Sequence, residues 1–159
     1  MTSPLVLYLN SNQQSKTDKL FFTNFSPYMN ITTQRGSDDS QQRSTLQNAA
    51  MHFYNNRDYN KAIVNFEELF KSQNSPDSLV QFYYGISCLG AQHNQKAVEV
   101  FSKLSSKKNY LFYDQSKWYL ALSYLQNHDK EATIRTLKEI IEEKGDYTSK
   151  ALNLLEELN

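Results

Sequence analysis

The stretch Trp118-Tyr119-Leu120-Ala121-Leu122-Ser123-Tyr124-Leu125 decides the fold, because the chain spells it once before. Thirty-six residues earlier it reads Phe82-Tyr83-Tyr84-Gly85-Ile86-Ser87-Cys88-Leu89. In both copies an aromatic pair comes first, a small residue fourth, Ser sixth and Leu last. The offset persists downstream, where Ala97 matches Thr133, Phe101 matches Leu137 and Leu104 matches Ile140. A fainter copy lies thirty-five residues upstream: Ala50, Phe53, Ala62, Phe66 and Leu69 align with Gly85, Cys88, Ala97, Phe101 and Leu104. Self-similarity at such a period belongs to arrays of helical hairpins, in which each hairpin buries its apolar face only by stacking on a neighbour.

Apolar spacing and turn residues predict seven helices around these motifs. The first, about 41–55, carries Leu46, Ala49, Ala50 and Phe53 at i, i+3, i+4, i+7, with Asp39 or Ser40 as candidate N-cap. A turn at Asn55-Asn56-Arg57 leads to a second helix over about 59–72. Ser75-Pro76-Asp77 opens the third, with Ser as cap, Pro in the first turn and Asp complementing the dipole. The third runs to about Ala91, its partner covers about 94–105, and a fifth lies near 114–127. The sixth follows Asp129 and ends before Gly145, a natural C′ residue. The last, Tyr147 to Leu158, turns Ala151, Leu154, Leu155 and Leu158 inward and has no hairpin partner, which suits a capping helix.

Residues 1–40 read differently, as an N-terminal extension and linker set apart from a helical repeat domain over 41–159. Leu20 to Phe25 is expected to form a short helix stopped by Pro27, and Thr32 to Ser40 a polar linker. Leu5-Val6-Leu7-Tyr8-Leu9 is too short for a signal peptide and lacks a basic flank. It fits the end of a membrane span or the start of an ordinary strand or helix. Asn24-Phe25-Ser26 and Asn30-Ile31-Thr32 match the glycosylation sequon, a pattern common by chance.

Composition excludes several functions. The 159 residues suit one compact domain or a short array with an extension. Lys+Arg and Asp+Glu both number 17, and no basic stripe is visible to neutralise phosphates, so no nucleic-acid partner is expected. His52, His93 and His128 never fall at ligand spacing on one helix, so no metal is expected either. The lone Cys88 excludes an internal disulfide. It stands late in an apolar helix, where Phe53 and Tyr124 stand in the other copies, and reads as a small buried hydrophobe. There is no Gly-rich phosphate loop, His-Glu-x2-His pattern or Gly-x-Ser-x-Gly elbow, so neither catalysis nor a cofactor is expected. Glu67-Glu68, Glu142-Glu143 and Glu156-Glu157 read as solvated charge on outer helix faces. No 18-residue apolar run is present, so a membrane enters only through a segment this chain does not contain.

Ala50-x2-Phe53-x8-Ala62-x3-Phe66-x2-Leu69 resembles the tetratricopeptide repeat (TPR), as do Tyr84-Gly85-x2-Cys88-x8-Ala97-x3-Phe101-x2-Leu104 and Leu120-Ala121-x2-Tyr124-x8-Thr133-x3-Leu137-x2-Ile140. A small residue on each helix of the hairpin lets the axes approach, and the large residues fill the space between. Asp58-Tyr59-x2-Ala62 and Asp129-Lys130-Glu131-Ala132 resemble the family's usual approach to its second helix. The resemblance covers about 43–145 and departs from the pattern at Gln81, Lys117 and Thr133. It implies an all-α, right-handed superhelix of three helix-turn-helix repeats with a C-terminal capping helix and an N-terminal extension. The aromatic-rich spelling is similar to repeat domains of bacterial envelope proteins, which favours a periplasmic or membrane-anchored setting over a cytoplasmic one.

In such arrays the first helix of each hairpin lines the concave face. Beside the packing stripe these helices carry Gln47, Met51 and Tyr54, then Phe82, Ile86 and Leu89, then Trp118, Leu122 and Leu125, each set at i, i+4, i+7. An apolar face of this size marks either a binding site or core packing. Family members that clasp acidic tails use Lys, Asn and Arg here, which this chain lacks. The resemblance therefore implies a non-catalytic interaction module whose concave face takes an apolar or aromatic peptide, or the chain's own segment around Leu20 to Met29. The alternative is a structural or regulatory, self-associating segment of a larger membrane-anchored protein. Its oligomeric state is left open.

Overall fold

The computed structural model describes residues 16–31, 45–72 and 77–158, and all regular structure among them is helical. Helix α1 covers 16–24. It is followed by α2 (Thr45–Asn55), α3 (Tyr59–Ser72), α4 (Ser78–Gly90), α5 (Asn94–Leu104), α6 (Tyr113–Gln126), α7 (Lys130–Glu143) and α8 (Thr148–Leu158). Of the expected features, the 32–40 linker, the Asp39 or Ser40 cap, the start of the first helix, Ser75-Pro76 and the stretch before residue 16 lie outside the described residues. None of the described helices is long and apolar enough to cross a membrane.

The chain forms two compact units. One comprises the described residues of Pro27–Leu104, the other those of Met1–Ser26 and Ser105–Asn159. In the first, α2 pairs with α3, α3 with α4 and α4 with α5, and α2 also touches α4. In the second, α6 pairs with α7 and α7 with α8. Of the described residues before α2, 16–26 belong to the second unit and 27–31 to the first.

The three hairpin turns share one geometry. Arg57, Gln92 and His128 take left-handed φ values of 59°, 62° and 57°. Their own N–H groups donate to the carbonyls of Tyr54, Leu89 and Leu125 at 3.0, 3.1 and 3.0 Å. The following N–H groups, of Asp58, His93 and Asp129, donate to Phe53, Cys88 and Tyr124 at 2.9, 2.8 and 3.0 Å. This is the Schellman pattern, which satisfies the last carbonyls of a helix. The left-handed residues stand thirty-five and thirty-six apart, so the backbone repeats at the period of the sequence. Asp58 and Asp129 then cap the next helices, their carboxylates accepting from Lys61 N at 3.3 Å and Ala132 N at 2.9 Å.

Inside each hairpin the small residues lie where the helices meet. Ala50, Ala62, Ala97 and Ala121 are completely buried. A β-carbon added to Gly85 would come within 2.8 Å of Phe101 Cζ and 2.9 Å of Val100 Cγ1. The repeated serines are buried too. Ser87 Oγ donates to the Tyr83 carbonyl at 2.8 Å and Ser123 Oγ to that of Tyr119 at 2.7 Å, so neither hydroxyl is stranded in the core. Thr133, which stands in place of Ala, donates its hydroxyl to Asp129 O at 2.7 Å.

Two helix ends differ from expectation. Asp77 itself is the N-cap of α4, its Oδ1 accepting from Leu79 N at 2.6 Å, because its carboxylate lies beside the free N–H groups of the first turn. At the end of α7 the left-handed residue is Lys144, with φ 56°, and Gly145 has no positive φ. Gly145 has a steric reason instead: a β-carbon there would overlap the Asp114 carboxylate, which accepts from Asp146 N at 3.3 Å. Helix α1 also begins earlier than the apolar run from Leu20 suggests, and ends ahead of Pro27.

Candidate functional site

A buried tyrosine needs a partner for its hydroxyl. In the unit of Pro27–Leu104, Tyr54 on α2 and Tyr83 on α4 are both buried, and their rings meet edge to face at 5.0 Å. Their hydroxyls turn to the non-helical residues 27–31. Tyr54 donates to the carbonyl of Tyr28, and Tyr83 donates to that of Met29 at 3.1 Å. The Tyr83 oxygen also accepts the N–H of Ile31 at 3.0 Å, so one phenol bridges two backbone groups of the segment. The Tyr28 ring stands edge-on to Phe82, 5.5 Å between centroids, while the Met29 side chain is 67% exposed. Backbone groups of Tyr28, Met29 and Ile31 and the Tyr28 ring are among the groups that hold the segment.

The second unit shows a related contact. Tyr119 on α6, at the position equivalent to Tyr83, donates to the carbonyl of Ser26 at 2.7 Å. Phe25 lies edge-on to Tyr119 at 6.4 Å, and Phe21, 1% exposed, stacks on Phe25 at 5.1 Å. Asp18 of α1 lies 3.9 Å from His128.

Of the nine residues assigned from sequence to an apolar concave face, Gln47 is half-buried. Met51, Tyr54, Phe82, Ile86 and Leu89 are buried in one unit, and Trp118, Leu122 and Leu125 in the other. The stripe is therefore not an open surface. Phe82 packs against Tyr28 and Phe101, and Trp118 stacks on Tyr147 at 5.5 Å with the Lys150 ammonium 5.9 Å from its ring. Sequence reasoning missed Tyr83 and Tyr119. The signal was present: both second aromatics of the repeated pair are Tyr, a residue whose burial requires a hydrogen-bond acceptor.

The polar clusters serve packing. Glu67 and Glu143, expected as solvated charge, keep solvent contact and also pair with lysines. Glu67 on α3 accepts from Lys96 of α5 at 2.6 Å and from the Tyr84 hydroxyl of α4 at 2.9 Å, tying one hairpin to the next. The Lys96 contact holds its carboxyl below the usual range against the opposing pull of burial, and Tyr84 adds to the effect. Burial, together with neighbouring Cys88 and Glu67, raises the Tyr84 phenol, and burial pushes the Cys88 thiol up to about 12. Lys117 is buried between Glu139 at 3.2 Å and Glu143 at 2.9 Å. Burial alone would lower its value, but the partners Glu143, Tyr113 and Glu139 together raise it. A small cleft beside this pair is lined by Asp114, Lys117, Ile140, Glu143, Gly145 and Tyr147. His52, His93 and His128 are exposed, and among the described residues no His, Cys, Asp and Glu side chains gather at metal-binding distance.

No model of a known protein family matches the chain, and comparison with curated proteins finds no similar sequence.

Proposed function

We propose that this all-α chain is a non-catalytic interaction module built from three hairpins of the tetratricopeptide kind, the kind that winds into a right-handed superhelix. Its ligand is an extended apolar or aromatic peptide segment lying on the first helices of the hairpins. The observation that carries the reading is residues 27–31 seated on α2 and α4 through two backbone carbonyls, one backbone N–H and the Tyr28 ring. A helical face that holds one extended segment by main-chain groups has the chemistry to hold another. The test is selection of a random peptide library on the intact chain. Enrichment of aromatic sequences without acidic tails is expected; a selection that enriches nothing, or only acidic tails, counts against the reading.

The second reading, self-association within a larger membrane-anchored protein, draws on Phe22, Val64 and Leu111, which are 61%, 65% and 71% exposed. Light scattering across a concentration series decides it, since a concentration-independent monomer removes self-association.

A further inference from the structure

Residues 27–31 show what their site reads and what it ignores. The Tyr28 carbonyl takes the Tyr54 hydroxyl, and its ring meets Phe82. At the next residue only the carbonyl is engaged, and the Met29 side chain points largely to solvent. Two residues beyond, the N–H of Ile31 must be present to reach the Tyr83 oxygen, which excludes proline there. We infer that this segment is a built-in occupant of the site. The outside partner is an extended peptide with the same pattern: an aromatic residue, a next position whose side chain is free to vary, and, two residues beyond that, a residue other than proline. The inference rests on the proposed peptide-binding reading and adds its recognition rule and its competitor.

The tether explains how the competition is set. Thirteen residues, 32–44, join the segment to α2. A segment on a short linker competes at an effective concentration on the order of millimolar. A partner in trans must therefore displace it or meet a chain in which it is weakened. The Tyr83 phenol, as donor to one backbone group and acceptor from another, is the contact both occupants would share.

The experiment uses the full chain and a full-length Tyr28→Ala/Ile31→Pro variant, whose helicity is checked by circular dichroism. The probes are four fluorescent peptides spanning residues 25–32: the parent, and versions with Tyr28→Ala, Met29→Lys or Ile31→Pro. The parent and Met29→Lys peptides are expected to bind the variant at least about tenfold more tightly than the wild-type chain, because the tethered competitor is weakened. The Tyr28→Ala and Ile31→Pro peptides are expected to bind the variant at least about tenfold more weakly than the parent. Equal binding of all four overturns the recognition rule and leaves the interaction reading standing; a folded variant that takes none removes both. Where the double variant loses helicity, a full-length Tyr83→Phe chain serves instead. Faster hydrogen exchange at the Ile31 amide, with parent-peptide binding weakened as well, is expected, and unchanged exchange overturns the shared contact. A wild-type dimer that Ile31→Pro dissolves would make a second copy the occupant and overturn the outside peptide.

Discussion

Lys117 Nζ lies 2.9 Å from Glu143 Oε2, with the lysine side chain only 9% exposed and the carboxylate open to solvent on one side. The pair shifts both groups toward their charged forms. Glu143 falls below its ordinary 4.5 although burial opposes this, and Lys117 rises above its ordinary 10.5.

The sign of the pH dependence follows. Glu143 contributes stability above 4.5 that is lost as pH falls through its lowered value, and Lys117 contributes stability below 10.5 that is lost as pH rises through its raised one. Lys117→Met keeps the buried stem and removes the charge. It is expected to cost about 1 kcal/mol near neutrality and to flatten the loss of stability below 4.5. Urea titrations at a series of pH values check both.

Gly85 and Ala121 occupy equivalent close approaches. Ala121→Leu overfills a fully buried site and is expected to cost about 1–3 kcal/mol. For Gly85→Ala the β-carbon clash with Phe101 and Val100 outweighs a helix-propensity gain of about 1 kcal/mol, leaving a net loss near 1. Unchanged denaturation midpoints would contradict both.

Gln92 is exposed in a left-handed conformation that costs a non-glycine residue about 1–2 kcal/mol. Gln92→Gly is expected to raise stability by about 0.5–1 kcal/mol after the added freedom of the unfolded chain is deducted. The readout is a higher urea midpoint with the same slope.

Cys88 is fully buried with its thiol pushed up to about 12, so a thiol reagent at about pH 8 should leave the folded chain unmodified and label it at once in denaturant. Rapid labelling of the folded chain would show that α4 opens locally.

Leu154 on α8 is 1% exposed. Leu154→Ala is expected to cost about 2–5 kcal/mol, since the cavity would lie at the α7–α8 contact. Thermal unfolding of the variant checks it.

Much of this was legible in the sequence because hairpin packing has a period. Ala50, Gly85 and Ala121 announce the close approaches, and helix ends within the described residues fall within a residue or two of their turn signals, α1 apart. The cap at Asp77 was misjudged because Ser75, Pro76 and Asp77 all suit a helix start, and only geometry chooses among them. Gly145 was read as a left-handed residue because glycine's commonest use masks its other one, room for a neighbour's carboxylate. The segment around Leu20 to Met29 could be named from sequence as a candidate for the face that holds Phe82, but which of its residues meets that ring could not: an apolar stripe does not say that Tyr28 is the one.

The two units also differ in when they can fold. Pro27–Leu104 is one continuous stretch, so the contacts within it, that of the segment on Tyr83 included, join residues made before Ser105. The other unit joins residues before Pro27 to residues after Leu104, and its Tyr119 to Ser26 hydrogen bond closes a span of 93 residues. Contacts of such separation form late and slow folding. During synthesis the Phe25 ring and the Ser26 carbonyl must therefore wait, without Tyr119, until α6 has been made. That interval is when the chain is most exposed to misassociation.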